Sequence, residues 1–363
     1  MSRLSPDRRL SPRKEAILRA LIEEYIRAGE RDAAPEPISS KQLSEQLTQL
    51  YGPGYSPATV RNEMAMLEEE GLIYQPHVSA GRAPTDLGYR YFVEWLMSES
   101  QLSLEEQRLI NHQFFQVQRR LDEWVRLTAS VLAQALESAA VVTSPRSAQG
   151  CLKHFEILAL YETVALIVLV LEDGTVRQER IVLDEPRNQD ELSHLAGRLN
   201  ARFQHATAQT INALAEETLP AQTADERQVI ESLARMLTQA DIFSPDAFYH
   251  DGLVRMLQSG EFSHADPERI RNVVEVLERN RYLPAIASQA LSREGVQVII
   301  GAENEADPLK DMSVIVSRYG AEGQLGGLVG VVGPTRMQYG RAIAIVRYLT
   351  QLLNDLLSET YGA

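Results

Sequence analysis

Apolar positions in the first hundred residues recur at helical spacing, broken by short polar stops. Leu18, Leu21, Ile22 and Tyr25 share one face of a helix that Ser11-Pro12 opens and Gly29 is expected to close. Ser39, followed three residues later by Gln42, has the form of a capping box, with Leu43 and Leu47 behind it. YGPGY breaks the pattern. Ser56-Pro57 then opens a third helix, and Gly71 stops it. LIYQPHVSAGRAPT predicts a strand, a loop and a return strand. Thr85 is placed to cap DLGYRYFVEWLM.

Residues 101–137 predict one long helix. Ile110, Phe114, Val117, Leu121, Trp124, Thr128, Val131 and Ala135 alternate spacings of four and three along it, a heptad-like seam. Past residue 152 the period shortens. FEILALYETVALIVLVLEDGTVRQERIVL predicts two or three strands, with a tight hairpin turn at EDGT. Residues 189–285 return to helical spacing. VQVIIGA, MSVIVSRYG and GQLGGLVGVVGP are strands, and YGRAIAIVRYLTQLLNDLL is a final helix. Strands, then helices, then strands indicate an α+β chain with a mainly helical insertion.

The third helix carries the most specific chemistry. On a wheel, Val60, Met64 and Leu67 form a core stripe, while Ala58, Arg61, Asn62 and Ala65 lie opposite. Small alanines let that face approach another surface. Arginine can donate to guanine O6 and N7, and asparagine can pair with adenine N6 and N7. Glu68, Glu69 and Glu70 sit at the far end, so the N-terminal half, from Ser56 and Thr59 on, is the half suited to a groove. An Arg-Asn pair alone is more often a solvated helix face. The order of three helices and a hairpin changes the balance, because it is the order of a winged helix. His77, Ser79 and Arg82 then stand near the hairpin tip, with Gly81 allowing close approach to a phosphate or the minor groove.

Charge limits this reading without removing it. The 363 residues carry a net charge of −14. Residues 1–97 hold 12 Lys+Arg and 14 Asp+Glu, a net of −2, and residues 1–19 hold six basic and two acidic side chains. A local basic arm still attracts phosphate, because fields are screened over about 8–10 Å. Hydrophobic residues make up 44 % and charged residues 24 %, enough for a packed core. No apolar run reaches membrane-spanning length, and the basic start lacks the apolar stretch of a secretory signal. The lone Cys151 suits a reducing cytoplasm.

Other motifs are weaker. The glycine-rich GQLGGLVGVVGPTR lacks the Gly-Lys-Ser/Thr of a phosphate loop and predicts close-packed strands, with Arg336 bracing a turn or a domain contact. The seven histidines show no metal-ligand spacing. Glu303, Glu305, Asp307 and Asp311 are expected to form a solvated acidic loop. No catalytic set, metal site or cofactor motif emerges.

SPATVRNEMAMLEE followed by GLIYQPHVSAGRAPTDLGYRYFV closely resembles the N-terminal region of the heat-inducible transcription repressor family HrcA. The stretch from VQVIIGAENEADPLKDMSVIVSRYG to GPTRMQYGRAIAIVRYL resembles that family's C-terminal signature. The RDAAPEP loop and the YGPGY turn are longer than the usual pattern. The resemblance implies a cytoplasmic, homodimeric repressor of chaperone operons that binds double-stranded DNA at an inverted-repeat operator. It implies a winged helix over 1–97, a linker helix and the first part of a GAF-like domain over 98–188, an inserted dimerisation segment over 189–285, and the rest of the GAF-like domain over 286–363. It also implies that the chaperonin GroEL maintains the active repressor and that heat releases it. The alternative from another class is a GAF-type regulator that senses a small molecule.

Overall fold

The computed structural model describes residues 9–31, 36–77, 80–98, 100–117, 120–147, 150–172, 174–218, 223–241, 248–258, 295–305, 307–320 and 325–361, together with 262, 268, 270, 271, 274 and 275. Along the chain run α1 (Pro12–Arg31), α2 (Ser40–Tyr51), α3 (Pro57–Glu69), β1 (Ile73–Tyr74), β2 (Ala83–Pro84), α4 (Asp86–Tyr91), α5 (Leu104–Gln116) and α6 (Leu121–Leu136). These lead into β3 (Ala139–Thr143), β4 (Arg146–Ser147), β5 (Leu152–Tyr161), β6 (Val164–Leu171) and β7 (Val176–Val182). There follow α7 (Gln189–Phe203), α8 (Ala208–Thr218), α9 (Ala224–Asp241), β8 (Phe248–Asp251) and α10 (Leu253–Gln258). The chain closes with β9 (Gln297–Ile300), β10 (Met312–Gly320), β11 (Leu325–Pro334) and α11 (Tyr339–Tyr361). Helix and sheet are mixed, as the α+β expectation has it. The expected helix over 266–280 falls mostly outside the described residues.

Two compact units divide the chain. One comprises Met1–Ser144, Pro245–Tyr319 and Leu328–Leu356; the other comprises Pro145–Ser244, Gly320–Gly327 and Leu357–Ala363.

In the first unit, α1, α2 and α3 pack around Leu18, Leu21, Ile22, Leu43, Leu47, Val60 and Leu67, all fully buried. Their starts are chemically marked. Ser39 accepts a hydrogen bond from the Gln42 N–H, Ser56 from Thr59 and Thr85 from Gly88. Such caps satisfy amide groups that a helix start leaves unbonded. β1 and β2 form a short antiparallel hairpin after α3, with Ile73 opposite Pro84. A larger sheet has the order β8-β3-β11-β10-β9. β3 is buried along its whole length, as is most of β10. Strands covered on both faces read as continuous apolar runs, which is why they are visible in the sequence.

In the second unit, β5, β6 and β7 form an antiparallel meander. Leu171 N–H donates to the Thr175 carbonyl at the expected EDGT turn. Phe155, Ile157, Ile167 and Leu169 share one hydrophobic core with Leu199 and Phe203 of α7 and Val229 and Leu233 of α9. The Asn200 amide accepts from the Phe155 N–H at 3.0 Å and donates to its carbonyl at 2.7 Å, pinning α7 to β5. The expected boundary at 188/189 therefore falls within a single core. Val164, Leu166, Val168 and Val170 occupy the other face of β6 and are only half-buried.

Two expected boundaries differ. α1 runs past Gly29 to Arg31; a lone glycine costs a helix only about 1 kcal/mol. The expected helix over 101–137 is two helices, since Val117 is extended and a new helix starts after Arg120, whose side chain makes no capping bond. Asp122 and Glu123 occupy the first turn of α6 and favour its positive end, and Glu123 lies 3.9 Å from Arg120.

Candidate nucleic-acid interface

α3 turns its apolar stripe inward and its polar stripe outward. Val60, Met64 and Leu67 are buried. Ser56, Ala58, Arg61, Asn62 and Ala65 are exposed, and Thr59 is half-buried. Ser56 caps α3 through its bond from the Thr59 N–H at 3.2 Å, and the Ser56 and Thr59 hydroxyls lie 2.9 Å apart. Pro57 takes the first helical position, where a missing N–H costs nothing. Among the described residues, neither Arg61 nor Asn62 is engaged in a side-chain hydrogen bond or ion pair.

The carboxylates around that face are differently placed. Glu63, next to Asn62, lies 4.0 Å from Arg13 of α1. Glu70 meets Lys14 at 2.6 Å. Glu68 meets Arg82 at 2.9 Å and also accepts from the Gln75 N–H at 3.1 Å. Arg13 thus offsets the acid next to Asn62, while Lys14 and Arg82 hold Glu70 and Glu68 at the far end of the helix.

Arg82 is not at the hairpin tip. Its N–H and carbonyl exchange backbone bonds with Ile38, each 2.9 Å, just ahead of β2. Its side chain is only 18 % exposed and faces Glu68. Gly81 also serves this junction. A Cβ there would lie 2.4 Å from the Pro37 and Ile38 backbone, so the close approach it permits is to its own chain. The sequence suggested close approach but could not identify the partner. At the tip, His77 is exposed and its carbonyl accepts from the Ala80 N–H at 2.8 Å. Ser79 lies outside the described residues.

Sequence reasoning passed over Lys41. It is exposed in the first turn of α2, beside the Ser39 cap, where unbonded amides and a cation converge. An exposed lysine just after a capping serine was the available signal. The basic arm is also held at its inner end. The Arg9 guanidinium lies 4.7 Å over the Trp95 ring, and Leu10 N–H donates to the Tyr91 hydroxyl, which donates to Glu15. Burial raises the Tyr91 phenol above its ordinary value.

The C-terminal signature departs from expectation at Glu303, whereas Arg336 sits at a contact, as expected. Glu303 is not in a solvated loop; it pairs with Arg90 of α4. Arg336 is 8 % exposed, with its guanidinium 5.6 Å from the Tyr25 ring of α1. Among the described residues, no group of three or more potential metal ligands clusters, and no helix is long and apolar enough to cross a membrane.

Comparison with known proteins extends over nearly the whole chain. Residues 122–343 match the family model described as HrcA protein C terminal domain. The heat-inducible transcription repressor HrcA of Herpetosiphon aurantiacus is 43 % identical over 356 residues, covering 97 % of both chains. The repressor of the same name from Roseiflexus sp. (strain RS-1) is 44 % identical over 361 residues, covering 97 % of this chain and 96 % of its own. A crystal structure described as a hypothetical protein at 2.2 Å resolution superimposes with a TM-score of 0.56 at 22 % identity. It covers 97 % of this chain and all of its own, a likeness of fold.

Proposed function

The chain belongs to the HrcA family of heat-inducible transcription repressors, and from that premise we propose that it is a homodimeric, sequence-specific DNA-binding protein that represses chaperone operons. Residues 9–97 act as a winged helix. The N-terminal half of α3 enters the major groove, where Arg61 and Asn62 contact base edges and Ser56, Ala58, Thr59 and Ala65 line the approach. His77 and Ser79 reach the backbone or minor groove from the wing. Lys41 and the basic N-terminal arm contact phosphates, which fix position without reading sequence. Gly81 and Arg82 hold the wing against α3 and Ile38. The chain carries no catalytic role and works in the cytoplasm.

The observation carrying this reading is the free, alanine-flanked Arg61–Asn62 face, beside an acid that Arg13 offsets. Two copies match an inverted repeat through a two-fold axis. The half-exposed aliphatic face of β6 supports self-association, since burial of that face would complete a second core. The segment 189–285 contributes α7 to α9 behind the same sheet. The open face belongs to a GAF-like chain with an insertion in this reading, and GroEL supplies the folding assistance that heat withdraws.

Arg61→Ala tests the reading directly. Discrimination between the operator and random DNA is expected to fall by roughly 1–3 kcal/mol in titrations at fixed salt. An unchanged specificity ratio would remove Arg61 from the base-reading set. A gel shift across a heating series, with and without chaperonin, tests the GroEL step; binding that ignores chaperonin throughout would refute it.

A further inference from the structure

Arg90 and Glu303 are 213 positions apart and meet as a two-pronged pair. Arg90 Nε donates to Glu303 Oε1 at 2.6 Å, and Nη2 donates to Oε2. The same Nη2 donates to the Val298 carbonyl at 2.7 Å. Arg90 is 9 % exposed and the Glu303 side chain 25 %, so the planar, bidentate pair is partly shielded from water; Glu94 also lies 3.8 Å from Arg90.

Further ties surround it. The Asp86 carboxylate accepts from the Ala302 N–H at 2.8 Å. Gly301 has φ +51°, and a Cβ there would stand 2.1 Å from that carboxylate. Glu303 is itself oriented by the Ile300 N–H at 2.8 Å. The buried Asn304 amide reaches the carbonyls of Gly301, Leu309 and Met312 at 2.9, 3.0 and 3.0 Å. The Tyr89 ring packs on Tyr339 with centroids 5.7 Å apart. α4 thus engages both ends of the C-terminal signature, while α1 meets Arg336 through Tyr25.

We propose that Arg90 is a positioning residue for operator binding: paired with Glu303, it locks the DNA-reading head to the C-terminal sheet and so sets which half-site spacing a dimer accepts. The proposal rests on the operator reading above. It adds a separate property, because Arg90 belongs to α4 and the base-reading side chains to α3. Rigidly held heads gain avidity at one spacing and lose it where geometry forbids joint binding; tethered heads accept several spacings with a smaller gain.

The test uses the full chain. Wild type first enriches an inverted repeat from a random duplex pool. That duplex, a version with its spacer lengthened by about five base pairs (half a helical turn), and a single half-site then serve as probes. Wild type is expected to favour the native spacing by about tenfold or more. Glu303→Gln is expected to bring that preference within about threefold while half-site affinity stays at the wild-type value. Arg90→Glu combined with Glu303→Arg is expected to regain part of the preference. If Glu303→Gln fails to fold, Arg90→Lys, which keeps the charge but loses the two-pronged geometry on Glu303, carries the same test. A spacing preference undiminished in a folded variant overturns the proposal, as does a parallel loss of half-site affinity. Failure of wild type to enrich any repeat instead overturns the operator reading, and this proposal with it.

Discussion

Glu68 of α3 and Arg82 at the foot of the hairpin form an ion pair of 2.9 Å, with side chains 34 % and 18 % exposed. The pair links the proposed reading helix to its wing and uses the charge that the sequence seemed to offer to DNA. Arg82→Ala is therefore expected to weaken binding to all sequences by a similar factor, with little change in salt dependence. Lys41→Ala is expected to flatten the slope of log K against log salt by about 0.9, one phosphate's share. Titrations at several salt concentrations separate the two. A slope lowered by about one in Arg82→Ala would return Arg82 to the phosphate set.

Gly81→Ala places a methyl group against the Pro37–Ile38 backbone. Backbone cannot swing aside as a side chain does, so the hairpin or the start of α2 must shift. A loss of about 1–3 kcal/mol in folding stability is expected, together with weaker DNA binding. Denaturant unfolding measures the first; a variant as stable as wild type would mean that the junction yields freely.

The open face of the meander supplies a test of self-association. Leu166 and Val168 are adjacent on that face, while Ile167 between them is fully buried on the other. Leu166→Glu is expected to weaken dimerisation by about thirtyfold or more, on the order of 2 kcal/mol. Helical content should hold, since Ile167 and its core are untouched. Sedimentation over a concentration series reads the outcome, and an unchanged dimer would move the interface elsewhere.

Ser103 and Glu106 form a reciprocal capping box at the start of α5. Hydrogen bonds from the Ser103 N–H and hydroxyl, with Arg341 nearby, hold the Glu106 carboxyl below its ordinary value of 4.5. A depressed carboxyl pKa adds stability above the unfolded value and loses it as pH falls through the folded one. Ser103→Ala is expected to cost about 1 kcal/mol at pH 7. The difference from wild type should shrink as the solution is acidified below 4.5. Urea unfolding at several pH values checks this; a pH-independent difference would leave Glu106 out.

What could be read from the sequence was mostly local. Ser39, Ser56 and Thr85 cap their helices because the amide each satisfies lies three residues away. The division of α3 into buried and exposed stripes needed only its period. The break between α5 and α6 was masked because apolar spacing continued across it, although Asp122 and Glu123 marked a fresh start. The partners of Gly81, Arg82 and Glu303 are hidden for another reason. Each was recognisable as special, but its partner was Ile38, Glu68 or Arg90, and no periodicity connects such positions. The expected solvated loop at Glu303 had no visible cation because Arg90 lies in a helix far upstream.

Synthesis runs from the N-terminus, and the Arg90–Glu303 separation turns distance along the chain into time. Arg90 leaves the ribosome 213 residues ahead of its carboxylate. At roughly 5–20 residues per second, that is a wait of about ten to forty seconds. A polypeptide truncated before Glu303 keeps every residue of α1 to α4 but never forms this pair.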